Sequence, residues 1–417
     1  MNFRSNVRPR IADPSSQGVV CSRRSPSVGY HLPNPVPLEK TDVMTKCLLR
    51  IVCVSVSLTL LQSGLVTPKA AAAPPTYVID RIADGLEIPW DITWIGGVML
   101  FNEREGRVWS KRPGMSPRQV DLPLPPIFDH GEGGLLGMVA DPAAGSNGYF
   151  YTCMSVMDQK GEASDVEVWK WRLTSDTSAE KVRVLVKGIP IEYGRHNGCR
   201  LVFRSSRMLY VGTGDATSGR APQDLKSLGG KIMRVRSDGS IPRSNPFYKK
   251  GGNARYVWNY GHRNVQGLAK RPGVSELWSV EHGPDRDDEI NQVIKGGNYG
   301  WNPVPGYNES VPMTDLKRFP KAVGAKWSSG YPTVATSGAT FLSGKSWRDW
   351  NGMLAVAMLT GQGIVLFKVD KKQRLSRVTE VANGYGRIRT VQQGPDGALY
   401  FATSNGSNDA IYRLRTS

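Results

Sequence analysis

A short strand of apolar–aromatic–apolar residues recurs along this chain, each time followed by a turn and a second strand. Met99-Leu100-Phe101-Asn102 leads to Gly106-Arg107-Val108-Trp109, and Tyr149-Phe150-Tyr151-Thr152 leads to Val166-Glu167-Val168-Trp169-Lys170. The same pattern joins Leu209–Gly212 to Lys231–Val235, Leu277–Val280 to Glu289–Val293, Leu354–Ala357 to Ile364–Phe367, and Leu399–Ala402 to Ala410–Leu414. A lone hairpin cannot bury both of its faces. Six copies at irregular spacing therefore call for stacking. Radial stacking of four-stranded units also protects their edges. The expectation is an all-β fold, a six-bladed β-propeller of four-stranded antiparallel blades. A sandwich or two stacked β domains would not explain the recurrence. The 46 glycines and 28 prolines, spread along the chain, suit many short strands and turns.

Three segments divide the 417 residues. Residues 1–43 are polar and aperiodic, and read as disordered or as an extension from a misassigned start codon. Residues 44–73 read as a secretory signal. Lys46 and Arg50 form its charged region, Ile51 to Leu61 its apolar core, and Ala70 to Ala73 a cleavage site after Ala72. The apolar run is too short for a membrane span. Residues 74–417 form the propeller, expected to be secreted or periplasmic. Cys153 and Cys199 remain after processing as an even pair in an oxidising compartment, and are expected to form a disulfide; two separate buried thiols are the alternative.

The net charge is +18, of which residues 1–73 contribute +6. The remainder reads as a solubilising surface. No basic helix, zinc-ligand pattern or aromatic RNA-binding strand points to nucleic acid.

Polar clusters interrupt the apolar segments: Gly131-Glu132-Gly133-Gly134-Leu135-Leu136-Gly137, Arg195-His196-Asn197-Gly198, Gly212-Thr213-Gly214-Asp215, Gly261-His262-Arg263-Asn264-Val265-Gln266-Gly267, Glu281-His282-Gly283-Pro284-Asp285 through Asn298-Tyr299-Gly300-Trp301, and Gly386-Arg387-Ile388-Arg389. With Gly85-Leu86-Glu87-Ile88-Pro89-Trp90-Asp91 at the start, their identity and order resemble the soluble quinoprotein sugar dehydrogenases of the glucose/sorbosone dehydrogenase family. The resemblance covers nearly all of the mature chain. It implies a six-bladed propeller, calcium, pyrroloquinoline quinone (PQQ), and oxidation of an aldose at C1 to its lactone.

Carried onto this sequence, the resemblance makes His196 the general base, a task its imidazole pKa suits. Asp215 would fix the tautomer of that ring. Arg263 and Asn264 would meet the quinone oxygens, the guanidinium stabilising growing negative charge. His262 and Gln266 would brace this loop. His282 would touch PQQ. Arg387 and Arg389 alternate along an extended segment, point the same way, and suit the carboxylates of PQQ. The Gly283 and Pro284 carbonyls would bind a catalytic calcium, and Glu289 with the Tyr299 carbonyl a structural one.

Two positions depart from the family. Thr360, in Met358-Leu359-Thr360-Gly361-Gln362, stands where a lysine often reaches PQQ, and Glu132 where glutamine is common. Both changes point toward weaker PQQ binding. Asn308-Glu309-Ser310 and Asn405-Gly406-Ser407 fit glycosylation sequons. The expected partners are a small sugar and an external electron acceptor, on a monomer or homodimer. A calcium-dependent lactonase and a non-catalytic carbohydrate-binding propeller are the rival readings.

Overall fold

Antiparallel pairing of short strands dictates the architecture of the computed structural model, which describes residues 74–416. The expected extension 1–43 and signal segment 44–73 lie outside the described residues. Six four-stranded antiparallel sheets follow one another along the chain as the blades of a six-bladed β-propeller. Their innermost strands are Pro89–Ile95, Leu135–Ala140, Gly198–Ser205, Val265–Lys270, Thr336–Phe341 and Ile388–Gln393. Each touches the next around a closed ring. Blades 1 to 6 are named here in that order.

The six hairpins read from the sequence are the two central strands of the six blades. The burial pattern explains their apolar character. The second strands Val98–Glu103, Leu277–Glu281, Leu354–Met358 and Leu399–Thr403 are buried at every residue, because a neighbouring blade covers each face. Such strands read as continuous rather than alternating apolar runs. Six apolar clusters fill the six gaps between adjacent blades.

The ring closes through its two chain ends. Tyr77–Leu86 is the outer strand of blade 6 and pairs antiparallel with Asp409–Thr416. Asp80 accepts hydrogen bonds from Arg413 and Arg415, each at 2.9 Å, and these hold its carboxyl below the usual range. The Cys153–Cys199 disulfide forms, tying the second strand of blade 2 to the inner strand of blade 3.

One buried ion pair crosses the ring. Arg200 of blade 3 and Asp91 of blade 1 meet at 2.7 Å. Arg200 also donates to the Gln266 carbonyl of blade 4 and lies 4.1 Å from the Trp90 ring centroid. Asp91 accepts from the Met138 N–H of blade 2 and the Thr390 hydroxyl of blade 6. Five blades thus converge on this pair. Among the described residues no helix is long and apolar enough to cross a membrane.

Candidate functional site

Antiparallel register gathers the polar clusters at one end of the propeller. In each blade the inner strand begins, and the second strand finishes, at that end. Gly198 pairs with Thr213, so His196 and Asp215, just beyond them, come together. His196 Nδ1 lies 2.9 Å from Asp215 Oδ1. Gly214 permits this approach, since a Cβ there would collide with the His196 carbonyl. Val265 pairs with Glu281, which sets Arg263 and Asn264 beside His282. The His282 N–H donates to the Asn264 carbonyl at 3.1 Å.

A long connection in blade 4, residues 293–326, runs back to the same end and adds three side chains to which the sequence reading gave no role, although Trp301 closed one of its polar clusters. Trp301 Nε1–H donates to Asp215 Oδ2 at 2.7 Å. The Tyr307 hydroxyl donates to the same oxygen at 2.8 Å and lies 3.0 Å from His196 Nδ1. Burial and then Asp215 push the Tyr307 hydroxyl pKa up. Glu309 pairs with the Arg263 guanidinium. Trp301 and the Thr217 N–H can only donate to Asp215, so its oxygens are acceptors. The His196 Nδ1 proton points at them, and Nε2 keeps its lone pair.

A cavity of about 380 Å3 opens beside this cluster, walled by Arg104, Glu132, Gln266, His282, Arg387 and Arg389 among others. Arg387 and Arg389 do face one space, as their alternation implied. Arg389 donates to Gln266 Oε1 and Ser337 Oγ at 3.1 and 3.3 Å. Burial, then Arg200 and further arginines, pull Arg389 down to about 9. Burial, then Arg389, Arg263 and His196, push His282 down to about 3, so its ring is neutral at ordinary pH. His282 Nε2, Arg389 Nε and Arg104 Nε are buried without a hydrogen-bond partner. A cavity of this size falls within the range for small-molecule sites, and the unpaired Arg104 and Arg389 donors, with the unpartnered His282 nitrogen, need a ligand to satisfy them. A polycarboxylate meets both the excess positive charge and the free donors.

His196 and Arg263 stand at the edge of this cavity rather than in its wall. His196 donates its backbone N–H to Glu132 Oε2 at 3.2 Å, and Arg263 donates to the His282 carbonyl at 3.2 Å. Asn264 is fully buried and internally engaged. Its Nδ2 donates to Glu132, and its Oδ1 accepts from the Gly198 N–H and Gln266 Nε2. It holds the loops together. Glu132 therefore has two protein donors, and its charge also acts on Arg389. Thr360 is exposed and outside the cavity wall, donating weakly to the Thr333 carbonyl at 3.4 Å; its neighbour Leu359 lines the cavity instead. The second sequon residue, Asn405, also belongs to the wall, where a glycan would obstruct the cavity.

The expected metal positions are backbone carbonyls. Neither the Gly283 nor the Pro284 carbonyl accepts a hydrogen bond among the described residues. A Cβ on Gly283 would collide with the Arg286 and Asp287 carbonyls, so the turn requires glycine. Free carbonyl oxygens in a tight turn fit a hard cation. At the second position, burial and then Glu281 raise Glu289 to about 8, and Asn291 bridges the two carboxylates. His262 is sequestered here, between Glu281 and Asn259 and stacked on Tyr299 at 4.3 Å. Among the described residues no three His, Cys, Asp or Glu side chains gather as a metal cage.

A six-bladed propeller with a cationic cavity beside a histidine–aspartate pair defines a propeller with a small-molecule-sized site at one end. Residues 86–413 match the Glucose / Sorbosone dehydrogenase family, and the chain belongs to that family of sugar oxidoreductases. It is 31% identical to the aldose sugar dehydrogenase YliI of Escherichia coli, over 82% of this chain and 93% of that protein. Among solved structures it is similar to the glucose dehydrogenase-like oxidoreductase of Thermus thermophilus, with 33% identity, 81% and 100% coverage and a TM-score of 0.70. The PQQ-bound aldose sugar dehydrogenase of Streptomyces coelicolor matches with 28% identity, 83% and 100% coverage and a TM-score of 0.67.

Proposed function

We propose that this protein is an exported quinoprotein that oxidises an aldose at C1 to the lactone. The observation that carries the reading is the set of unpartnered nitrogens of His282, Arg389 and Arg104 in one cavity, beside His196 oriented by Asp215. PQQ held there would supply the two-electron acceptor for the hydride that leaves C1. Arg104, Arg387 and Arg389, which line the cavity, would hold its carboxylates, and charge-assisted bonds of this kind are the strong ones. Calcium on the Gly283 and Pro284 carbonyls would supply Lewis acidity.

The chain's own contribution is proton transfer and orientation. His196 Nε2 accepts the C1 hydroxyl proton as the carbon loses hydride. Asp215 holds Nδ1–H and stabilises the imidazolium that results. Trp301 and Tyr307 keep Asp215 in place. The enzyme then passes its electrons to an external acceptor.

The test is dye reduction by purified protein given PQQ, calcium and a panel of aldoses, with product identified as lactone. The reading expects reduction that requires both PQQ and calcium. No reduction with any aldose, or lactone hydrolysis without PQQ, would overturn it.

A further inference from the structure

We propose that the Cys153–Cys199 disulfide positions His196, holding the backbone that carries the imidazole to Asp215, so that breaking it slows the chemical step and spares cofactor binding. This rests on the dehydrogenase reading above and gives that site a further positioning element. Cys199 lies three residues after His196, at the head of the inner strand of blade 3. Gly198 opposes Thr213 while Arg200 opposes Gly212, so Cys199 is an extra residue in the ladder. Bulges of this kind bend a strand and re-aim side chains next to active sites.

The other blades show what a bulge does here without a crosslink. Blades 1, 4 and 6 carry a single extra residue at the head of the inner strand: Trp90, Gln266 and Arg389. All three line the cavity, and none has a positive φ. Cys199 differs in both respects. It is absent from the cavity wall, its φ is 72°, and its side chain is bonded across to Cys153 of blade 2. His196 and Gly198 beside it are also left-handed, at 53° and 61°. A residue other than glycine persists in that region only where its surroundings hold it.

Blade 2 supplies the hold. Cys153 sits within Tyr149–Met157, in unbroken register with the next strand from Tyr149 to Val156. Both cysteines are wholly buried. The Cys199 carbonyl also packs on Gly137 of blade 2, where a Cβ would collide with it. From this anchored bulge the left-handed run brings the His196 carbonyl against Gly214 and within 3.3 Å of the Ala216 nitrogen. Asn264 and Glu132 accept from the Gly198 and His196 N–H groups, but neither bonds Cys199. Without the crosslink, Cys199 is expected to turn toward the cavity like its three counterparts and to draw His196 out of line.

Two double variants, both without the crosslink, test the proposal. Cys153→Ala/Cys199→Ala is expected to lower kcat in dye reduction by about 10–100-fold, as for a misplaced reacting group. KM and PQQ affinity should stay unchanged. Cys153→Ala/Cys199→Gly should recover most of the loss, because glycine adopts a φ of 72° freely. The Nδ1 proton of His196, followed by NMR in quinone-free protein, should be lost or shifted in the first variant and restored in the second. The parent kcat and an unmoved resonance in the first variant, or equal defects in both, would overturn the proposal. So would loss of the fold in either, which would make the disulfide a brace of the structure alone. A parent protein that reduces no dye with any aldose would defeat the dehydrogenase reading, and the NMR comparison would still decide the positioning.

Discussion

Asp215 stands between His196 and Trp301, accepting from one ring through Oδ1 at 2.9 Å and from the other through Oδ2 at 2.7 Å. The indole fixes the carboxylate, and the carboxylate fixes the imidazole. Orientation of this sort matters only to proton transfer, so its loss should appear in kcat. His196→Ala is expected to lower kcat by about 10²–10⁴-fold, the usual worth of a positioned general base. Asp215→Asn should also lower kcat, by presenting an amide to Nδ1 and disturbing the tautomer. Steady-state dye reduction at saturating PQQ and calcium checks both. An undiminished kcat in His196→Ala would show that the base lies elsewhere.

Arg104 and Glu132 act on the cavity in opposite senses. Both line it, one with a guanidinium whose Nε is unpartnered and one with a carboxylate near Arg389. Arg104→Gln should weaken PQQ binding by about tenfold, the loss of one charge-assisted contact. Glu132→Gln should tighten it, because the amide keeps an acceptor for the His196 N–H and removes a like charge from beside an anion. Fluorescence titration of the two variants would show the opposed shifts; shifts of the same sign would contradict this charge assignment.

The Arg200–Asp91 pair governs stability rather than chemistry. Both side chains are almost wholly buried, and each reaches further blades. Arg200→Met would leave Asp91 buried without its counter-ion. A loss of about 3–5 kcal/mol in unfolding free energy is expected, read as a lower denaturant midpoint. A variant as stable as the parent would mean that the pair is dispensable for closing the ring.

Stability should also depend on pH through Asp165. Burial raises its carboxyl to about 6, and Oδ1 lacks a partner while Oδ2 accepts from the Gly188 N–H at 2.6 Å. Its folded value lies above its unfolded one. Between pH 3.8 and about 6 the folded protein therefore holds a proton that the unfolded chain has released, and stability falls as pH rises through that window. Asp165→Asn, which keeps an acceptor for Gly188, should melt at the parent's temperature near pH 4 and at a higher temperature near pH 7. A difference independent of pH would refute the assignment.

How much of this was readable beforehand follows from the kind of contact involved. The second strands carried a strong signal because blades cover both their faces, so their apolar runs stand out. Gly131–Gly137 was visible as a carboxylate among glycines, and Gly261–Gly267 because glycine, cation and amide rarely coincide for packing alone. The closing strand Tyr77–Leu86 was not legible, since its partners lie far off, Asp80 and Arg413 being 333 residues apart. Tyr307 and Glu309 sit in an aperiodic connection, and only its fold carries them to His196 and Arg263. Arg104 hid within Glu103-Arg104-Glu105, which reads as a solvated charge run. Asn264 was expected at the cofactor, but its amide is used in joining loops.

The most direct test of the account is a titration of quinone-free protein with PQQ, with and without calcium, followed by calorimetry. The account predicts saturation at one PQQ per chain when calcium is present, and binding weakened by about tenfold or more in Arg389→Gln. Failure of the parent protein to bind PQQ, or identical binding by Arg389→Gln, would contradict it.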